Sequence, residues 1–288
     1  MTKSQSKKFF RGGVADPLRL QPRDITLLRD VWEFRFLNTE QVLALYDGSR
    51  RNLRGRLNLL FQHGYLDRPV VQKTARLASS HIVYSLGRKG AEALAANAEE
   101  REGILRRVRE SEKTLPLIAH SIMISQFRVC LMLALKKQSE IKLTRWVQGQ
   151  DLKIAISRRG VNPPLVPDAF FVLETSGHRY PCFLEADRAT MTQERYVSKL
   201  QLYWRHNREA RFKETLGVSN FRVLTITPNE GRAENLRRAA KEADDRREGS
   251  LMYLFLSETR YNTATPEALL TAAWRSPKND EPQVLVLK

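Results

Sequence analysis

From Pro22 onward, apolar residues fall at helical spacing: Pro22 suits a first turn, and Ile25, Leu28, Val31 and Trp32 follow on one stripe. Asn38 or Thr39 offers a cap to a short helix over 39–46, with Val42 and Leu45 facing inward. After the turn Asp47-Gly48-Ser49, a third helix runs from about 50 to 63, and Gly64 is placed to stop it. On that helix Leu53, Leu57, Leu60 and Phe61 recur at i, i+4, i+7 and i+8, a single inward face. Two β-like stretches, 65–73 and 81–86, are joined by a polar, basic tip at Thr74, Arg76, Ser79 and Ser80. The order helix, helix, helix, hairpin predicts a winged-helix domain over 21–98, with 87–98 as its closing helix.

Residues 99–116 form a charged linker helix that Pro116 ends, and the domain boundary is expected there. The rest alternates. An apolar helix over 117–137 carries Ile118, Ile122, Phe127, Leu131 and Leu135. Strands follow at 141–147, 152–156, 166–173 and 180–186, then an amphipathic helix at 191–208 with Thr190 as its cap. A strand (221–227), a charged helix (233–247), a strand (251–256) and a short helix (266–274) complete the pattern, and the tail 276–288 either adds a strand or stays loose. This reads as a mixed sheet with helices on both faces over 117–275, an α+β or α/β architecture.

Composition sharpens the picture. A chain of 288 residues fits two domains, and its formal charge of +17 calls for a polyanionic partner. Residues 1–90 hold 17 Lys/Arg against 7 Asp/Glu, so more than half of the excess lies in under a third of the chain. The first 20 residues read as a basic, flexible arm. Two cysteines, Cys130 and Cys182, exclude a disulfide framework and a cysteine-based zinc site. No uninterrupted apolar run approaches the roughly 20 residues of a membrane helix, and no signal peptide follows the basic start. A cytoplasmic protein without a membrane partner is expected. The five histidines are scattered, and no Gly-rich phosphate loop is present, which disfavours a His-rich metal relaxase and NTP hydrolysis.

The third helix carries residue types suited to reading DNA. Arg50, Arg51, Asn52, Arg54 and Arg56 crowd its N-terminal half, the end that meets base edges when such a helix enters a major groove. Arginine can bind guanine in bidentate fashion and Asn52 can address adenine, while Lys73 and Arg76 on the wing meet phosphates. Double-stranded DNA is the expected partner. The competing reading is an arginine-rich face that is merely solvated.

A second constellation lies further on. Asp168 begins one strand and Glu185 and Asp187 end the next, the last two on one face because side chains alternate. If the two strands form a hairpin, Asp168 joins them. Three converging carboxylates suit Mg²⁺, and such a site can activate water against a phosphodiester. The same three acids are also what a strand start and a strand end carry without any metal, and spacing alone leaves both readings open.

The stretch VPDAFFVLETSGHRYPCFLEADRATMTQERYVSKLQLYW resembles the core of the replication-relaxation family, found on plasmids and other mobile elements. A winged helix followed by an apolar helix with His120 near its start resembles that family's organisation. The family is in turn similar to the PD-(D/E)xK nuclease fold shared by some mobilisation relaxases, which implies a restriction-endonuclease-like sheet here. By that resemblance Pro167-Asp168 is the PD element and Glu185 the acidic one. Where the nuclease motif has lysine, this chain has Asp187. The resemblance implies that Lys199 supplies the missing ammonium and that Lys199 and Tyr203, four apart on one helix face, match a helical Gln-xxx-Tyr element. It implies a DNA-binding protein of replication or mobilisation, with replication or mobilisation proteins as partners and a homodimer as an open possibility. The alternative is an active Mg²⁺-dependent endonuclease that nicks near its site.

Overall fold

The computed structural model describes residues 9–12, 17–74, 81–111, 114–157, 161–271 and 273–286. The chain divides into two compact units, 1–129 and 130–288, and the division falls inside one long helix beyond Pro116.

The first described helix of unit 1 is α1 (Pro22–Phe34), whose buried stripe is Leu27, Leu28, Val31 and Phe34. The inward face is thus turned one position from the Ile25/Trp32 pair the pattern suggested, and these two are half-buried. A two-residue strand β1 (Leu37–Asn38), not foreseen in the sequence, leads into α2 (Thr39–Leu45). Asn38 is its cap: its side chain accepts from the Gln41 amide at 2.9 Å, and Gln41 returns the bond, a reciprocal capping box. The third helix, α3 (Arg50–Gln62), is capped by Ser49 and buries Leu53, Leu57, Leu60 and Phe61, the four residues expected. Gly64 ends it at φ 81°, with the amides of Gly64 and Tyr65 turned back to the carbonyls of Phe61 and Leu60.

The hairpin is shorter than the β-rich sequence implied. β2 covers Leu66–Asp67 and β3 Val83–Leu86, paired antiparallel, with β1 on the other side of β3. Pro69 has no N–H to continue a ladder, and Val70–Thr74 instead coils into a 3-10 turn. The buried Gln72 amide then pairs with both backbone groups of Val83, at 2.9 and 3.0 Å, in place of the missing strand. The closing helix α4 spans Arg88–Leu94, and a methyl added at Gly90 would collide with the Tyr65 carbonyl. The charged segment forms α5 (Ala98–Ser111).

Residues of the N-terminal arm are tied to α3. Arg11 donates from Nε to the Phe61 carbonyl at 2.9 Å and from Nη2 to the Leu66 carbonyl at 3.2 Å, while the Gly12 amide bonds Gln62. One guanidinium thus bridges the C-terminal end of α3, where a cation complements the helix dipole, and the first residue of β2.

The helix α6 (Leu115–Lys136) has 22 residues and a mean hydropathy of 1.6 in its most apolar window, long and apolar enough by length and composition to cross a membrane. Core helices meet the same criteria, and 56% of that window is buried inside the protein. Ser125, Gln126 and Arg128 interrupt its apolar sequence; Ser125 donates to the Phe36 carbonyl at 2.7 Å and Arg128 pairs with Glu33 at 2.9 Å.

Unit 2 is a seven-stranded mixed sheet. Three antiparallel strands, β4 (Lys142–Gln148), β5 (Ala169–Thr175) and β6 (His178–Ala186), are followed by β7 (Arg222–Thr227) and β8 (Tyr253–Ser257), each parallel to its predecessor in the sheet. Short antiparallel strands β9 (Trp274–Arg275) and β10 (Pro282–Gln283) finish one edge, so the tail does add a strand. Residues 152–156, expected as a strand, belong to a helix, α7 (Gly149–Ile156). The reason lies in the spacing of Leu152 and Ile156: four apart, they share one buried helical face, which outweighs the β-preference of the isoleucines.

Helix α8 (Gln193–Arg208) joins β6 to β7, and α10 (Glu230–Ala239) joins β7 to β8. Thr192, rather than Thr190, caps α8. Between them lies a one-turn helix, α9 (Lys213–Leu216), ended by Gly217 and absent from the sequence expectation. Tyr196, Leu200, Tyr203 and Leu236 from the two crossover helices pack with Phe170, Phe183, Val223 and Phe255 of the sheet. On the opposite face Leu184, Leu224, Ile226 and Leu254 are buried as well, as strands within a parallel region require. The charged segment expected as one helix to 247 leaves the α-helix at Ala239 for a 3-10 turn, Ala240–Ala243, and the segment 266–274 keeps only the 3-10 turn Pro266–Leu269.

Candidate functional site

In unit 1, Ser49 at the start of α3 leaves Arg50, Arg51, Asn52 and Arg54 exposed, and the leucine stripe fixes the opposite side in the core. Arg51 and Asn52 make no side-chain hydrogen bond or ion pair among the described residues. Arg50 and Arg54 both reach Glu40, the latter at 2.8 Å. Burial would raise the Glu40 carboxyl, but the two guanidiniums outweigh it and hold the group below its ordinary value.

Arg56 does not belong to that face. It donates to both oxygens of Asp24, at 2.9 and 2.5 Å, and to the Arg19 carbonyl at 2.9 Å. Asp24 is buried, and although burial pushes its pKa up, the bonds from Arg56 and Gln21 leave it depressed. The sequence grouped Arg56 with its neighbours because all are arginines; two residues beyond Arg54, it has rotated onto α1. Lys73 has its backbone in the 3-10 turn after β2, and Arg76 lies outside the described residues. Gly55 and Leu59 share the exposed side of α3, and the sequence reading passed over both. A glycine inside a helical pattern was the available signal.

In unit 2 the acids gather where β5 begins and β6 ends. Asp168 precedes β5, and its Oδ2 accepts from the Ala186 amide at 2.8 Å while its own amide bonds the Leu184 carbonyl. That sets its carboxylate beside Glu185, whose pKa it raises. Glu185 is buried, and each of its oxygens has a donor from α8: Lys199 Nζ at 2.5 Å on Oε2 and Tyr203 Oη at 2.5 Å on Oε1. The two donors sit four residues apart, one turn of a helix, as their spacing required.

Burial dominates the electrostatics here. It pushes Glu185 up to about 7 against the opposing pull of Lys199. Burial disfavours the Lys199 ammonium too, yet Glu185 and Asp168 together raise its pKa. Tyr203 is held far above its usual range by burial and by the Glu185 charge, so it is a donor, not a phenolate.

Asp187 shares the face of Glu185 but turns to a different partner. Arg232 on α10 grips it with Nε at 2.7 Å and Nη2 at 3.0 Å, and Nη2 also bonds the Met191 carbonyl at 2.7 Å. Nothing near Asp187 in sequence announces Arg232, because the β7 crossover brings it there. Among the described residues no group of three or more His, Cys, Asp or Glu side chains is arranged to hold a metal ion. With Asp187 taken by Arg232 and both Glu185 oxygens by α8 donors, these residues do not fit a three-carboxylate Mg²⁺ centre. What they form is a hydrogen-bonded, ion-paired cluster at the sheet end.

Fold and site together define a mixed α/β protein with an arginine-faced helix in one unit and a buried, salt-bridged carboxylate cluster in the other. Residues 28–228 match the replication-relaxation family, and the chain belongs to that family. Membership points to a role in replication or mobilisation. No curated protein and no solved structure matches the chain.

Proposed function

We propose that this protein binds double-stranded DNA through unit 1, acting as a winged helix, and serves replication or mobilisation of a mobile element in the cytoplasm. The observation that carries this reading is the exposed N-terminal end of α3, where the side chains of Arg51 and Asn52 stand without partners among the described residues, between Arg50 and Arg54. Ordinary stabilising demands leave such a pair unused, and the major groove offers acceptors to both. The hairpin β2–β3 follows α3 in the chain and β2 packs on it, which supports reading the hairpin as the wing. Unit 2 is, on this reading, a nuclease-like scaffold that binds DNA or a replication partner without efficient cleavage. The donors already seated on Glu185 and Asp187 support that role.

The test is fluorescence anisotropy with a 30-bp duplex of mixed sequence at several salt concentrations, for the wild type and an Arg51→Ala/Asn52→Ala variant. Binding by the wild type with a steep salt dependence, weakened at least tenfold in the variant, supports the reading. Equal affinity in the two proteins overturns it.

The second reading is a Mg²⁺-dependent endonuclease, favoured by Asp168, Glu185 and Lys199 lying together. Asp168 and Glu185 would hold the ion, and Lys199 would have to leave Glu185 to admit it. Nicking of supercoiled plasmid that disappears in an Asp168→Ala/Glu185→Ala variant would favour this reading over binding alone.

A further inference from the structure

Gly55 sits in the middle of α3, and a Cβ built there meets nothing within 4 Å. No turn requires it and no neighbouring chain crowds it. Glycine is nevertheless the least favourable helix residue after proline, because it forfeits backbone entropy that alanine does not. The protein therefore keeps a locally destabilising residue for which its own packing gives no reason. The surroundings point outward. One turn earlier on the same face stands the unpartnered Arg51, and one turn later Leu59, a large apolar side chain left 42% exposed. Asn58, beside it, is steadied by Arg68, which donates to its side-chain oxygen at 3.0 Å. A cation, a fixed amide and an apolar side chain around a bare stretch of helix make a surface suited to DNA: the arginine for guanine or phosphate, the leucine for a thymine methyl.

We infer that Gly55 is the point of closest approach between the α3 backbone and duplex DNA, and that its missing side chain sets how deeply the helix seats in the groove. This rests on the DNA-binding reading above and deepens it by naming a seating residue that has no side chain to offer the DNA. A methyl at this position would hold the helix away by about the size of one carbon atom, and the contacts of Arg51 and Leu59 would lengthen together.

Gly103 in α5 supplies an internal control, since it is also a helical glycine whose added Cβ meets nothing within 4 Å. Gly55→Ala, Gly103→Ala and Arg51→Ala/Asn52→Ala are compared with the wild type by thermal unfolding and by anisotropy with the 30-bp duplex. Both glycine variants are expected to unfold a few degrees higher than the wild type. Gly103→Ala should bind as the wild type does, whereas Gly55→Ala should lose at least tenfold in affinity despite its greater stability. Loss of affinity in Arg51→Ala/Asn52→Ala with Gly55→Ala within twofold of the wild type overturns the seating role alone. Unchanged affinity in both overturns the DNA-binding reading and this inference with it, as does a wild type that fails to bind. A fall in the stability of Gly55→Ala reveals an internal reason for the glycine and overturns the inference independently of any DNA measurement.

Discussion

Arg56 and Asp24 form a two-pronged ion pair that fastens α3 to the first turn of α1, with Asp24 buried beneath it. Its position separates arginines that build unit 1 from those that face outward. Arg56→Ala leaves the Asp24 carboxylate buried without its cation and should cost about 2–4 kcal/mol in stability. Arg51→Ala should change stability by no more than about 0.5 kcal/mol. Urea unfolding monitored by helix content distinguishes them, and the order of effects on DNA affinity, measured well below the unfolding midpoint, should be reversed. A destabilised Arg51 variant beside an unaffected Arg56 variant would contradict this division.

Glu40 holds Arg50 and Arg54 together on the exposed side of α3. Exposed pairs of this kind are worth roughly 0–1 kcal/mol, so Glu40→Gln should hardly alter stability. Near phosphates the carboxylate is repulsive, and it competes for both guanidiniums. Its neutralisation should raise duplex affinity several-fold and steepen the salt dependence. Weaker binding in Glu40→Gln would mean that the carboxylate serves to aim the arginines.

The buried carboxylate of Glu185 gives unit 2 a defined response to pH. Its pKa is pushed up to about 7, whereas a glutamate in an unfolded chain titrates near about 4.3. Between those values the folded state retains a proton that the unfolded state has released. The stabilisation from this group is therefore complete below about pH 4, declines as pH rises and is gone above about pH 7, a change on the order of 3–4 kcal/mol. Glu258, also raised to about 7 by burial, contributes with the same sign. Comparing wild type with Glu185→Gln by urea unfolding at pH 5 and pH 8 isolates the first group: the variant should lose less stability between the two values. Equal losses would place the Glu185 titration outside this window.

Asp187 and Arg232 should behave as a coupled pair. Arg232→Met strands a buried carboxylate and is expected to cost about 3 kcal/mol. Adding Asp187→Asn should recover part of that loss, so a double-mutant cycle should give a coupling energy of at least about 1 kcal/mol. Additive effects would mean that the two side chains do not sustain each other.

Local pattern carried much of the architecture and little of the site. The α3 stripe Leu53, Leu57, Leu60 and Phe61 was legible because period, cap and terminating glycine all agree within fifteen or so residues. The strands β5 and β6 were legible for the same reason, and the joint position of Lys199 and Tyr203 followed from one helical turn. Segment 152–156 misled because five apolar-rich residues fit a strand or a helix equally, and the packing of Leu152 and Ile156 decides. Gln72 standing in for a strand, Arg56 turning to Asp24 and Arg232 closing on Asp187 all join residues distant in sequence. No periodicity encodes such pairings, which arise only once the elements are packed.

The docking of Arg11 on the end of α3 bears on where this chain can be cut. A fragment begun at residue 21 would retain every described helix and strand of unit 1 and yet strip the Phe61 and Leu66 carbonyls of their guanidinium. The end of α3 would then lose the link that Arg11 makes between it and β2. A fragment meant to keep α3 as it stands should accordingly include Arg11 and Gly12, so that the residues that look most dispensable travel with the helix they secure.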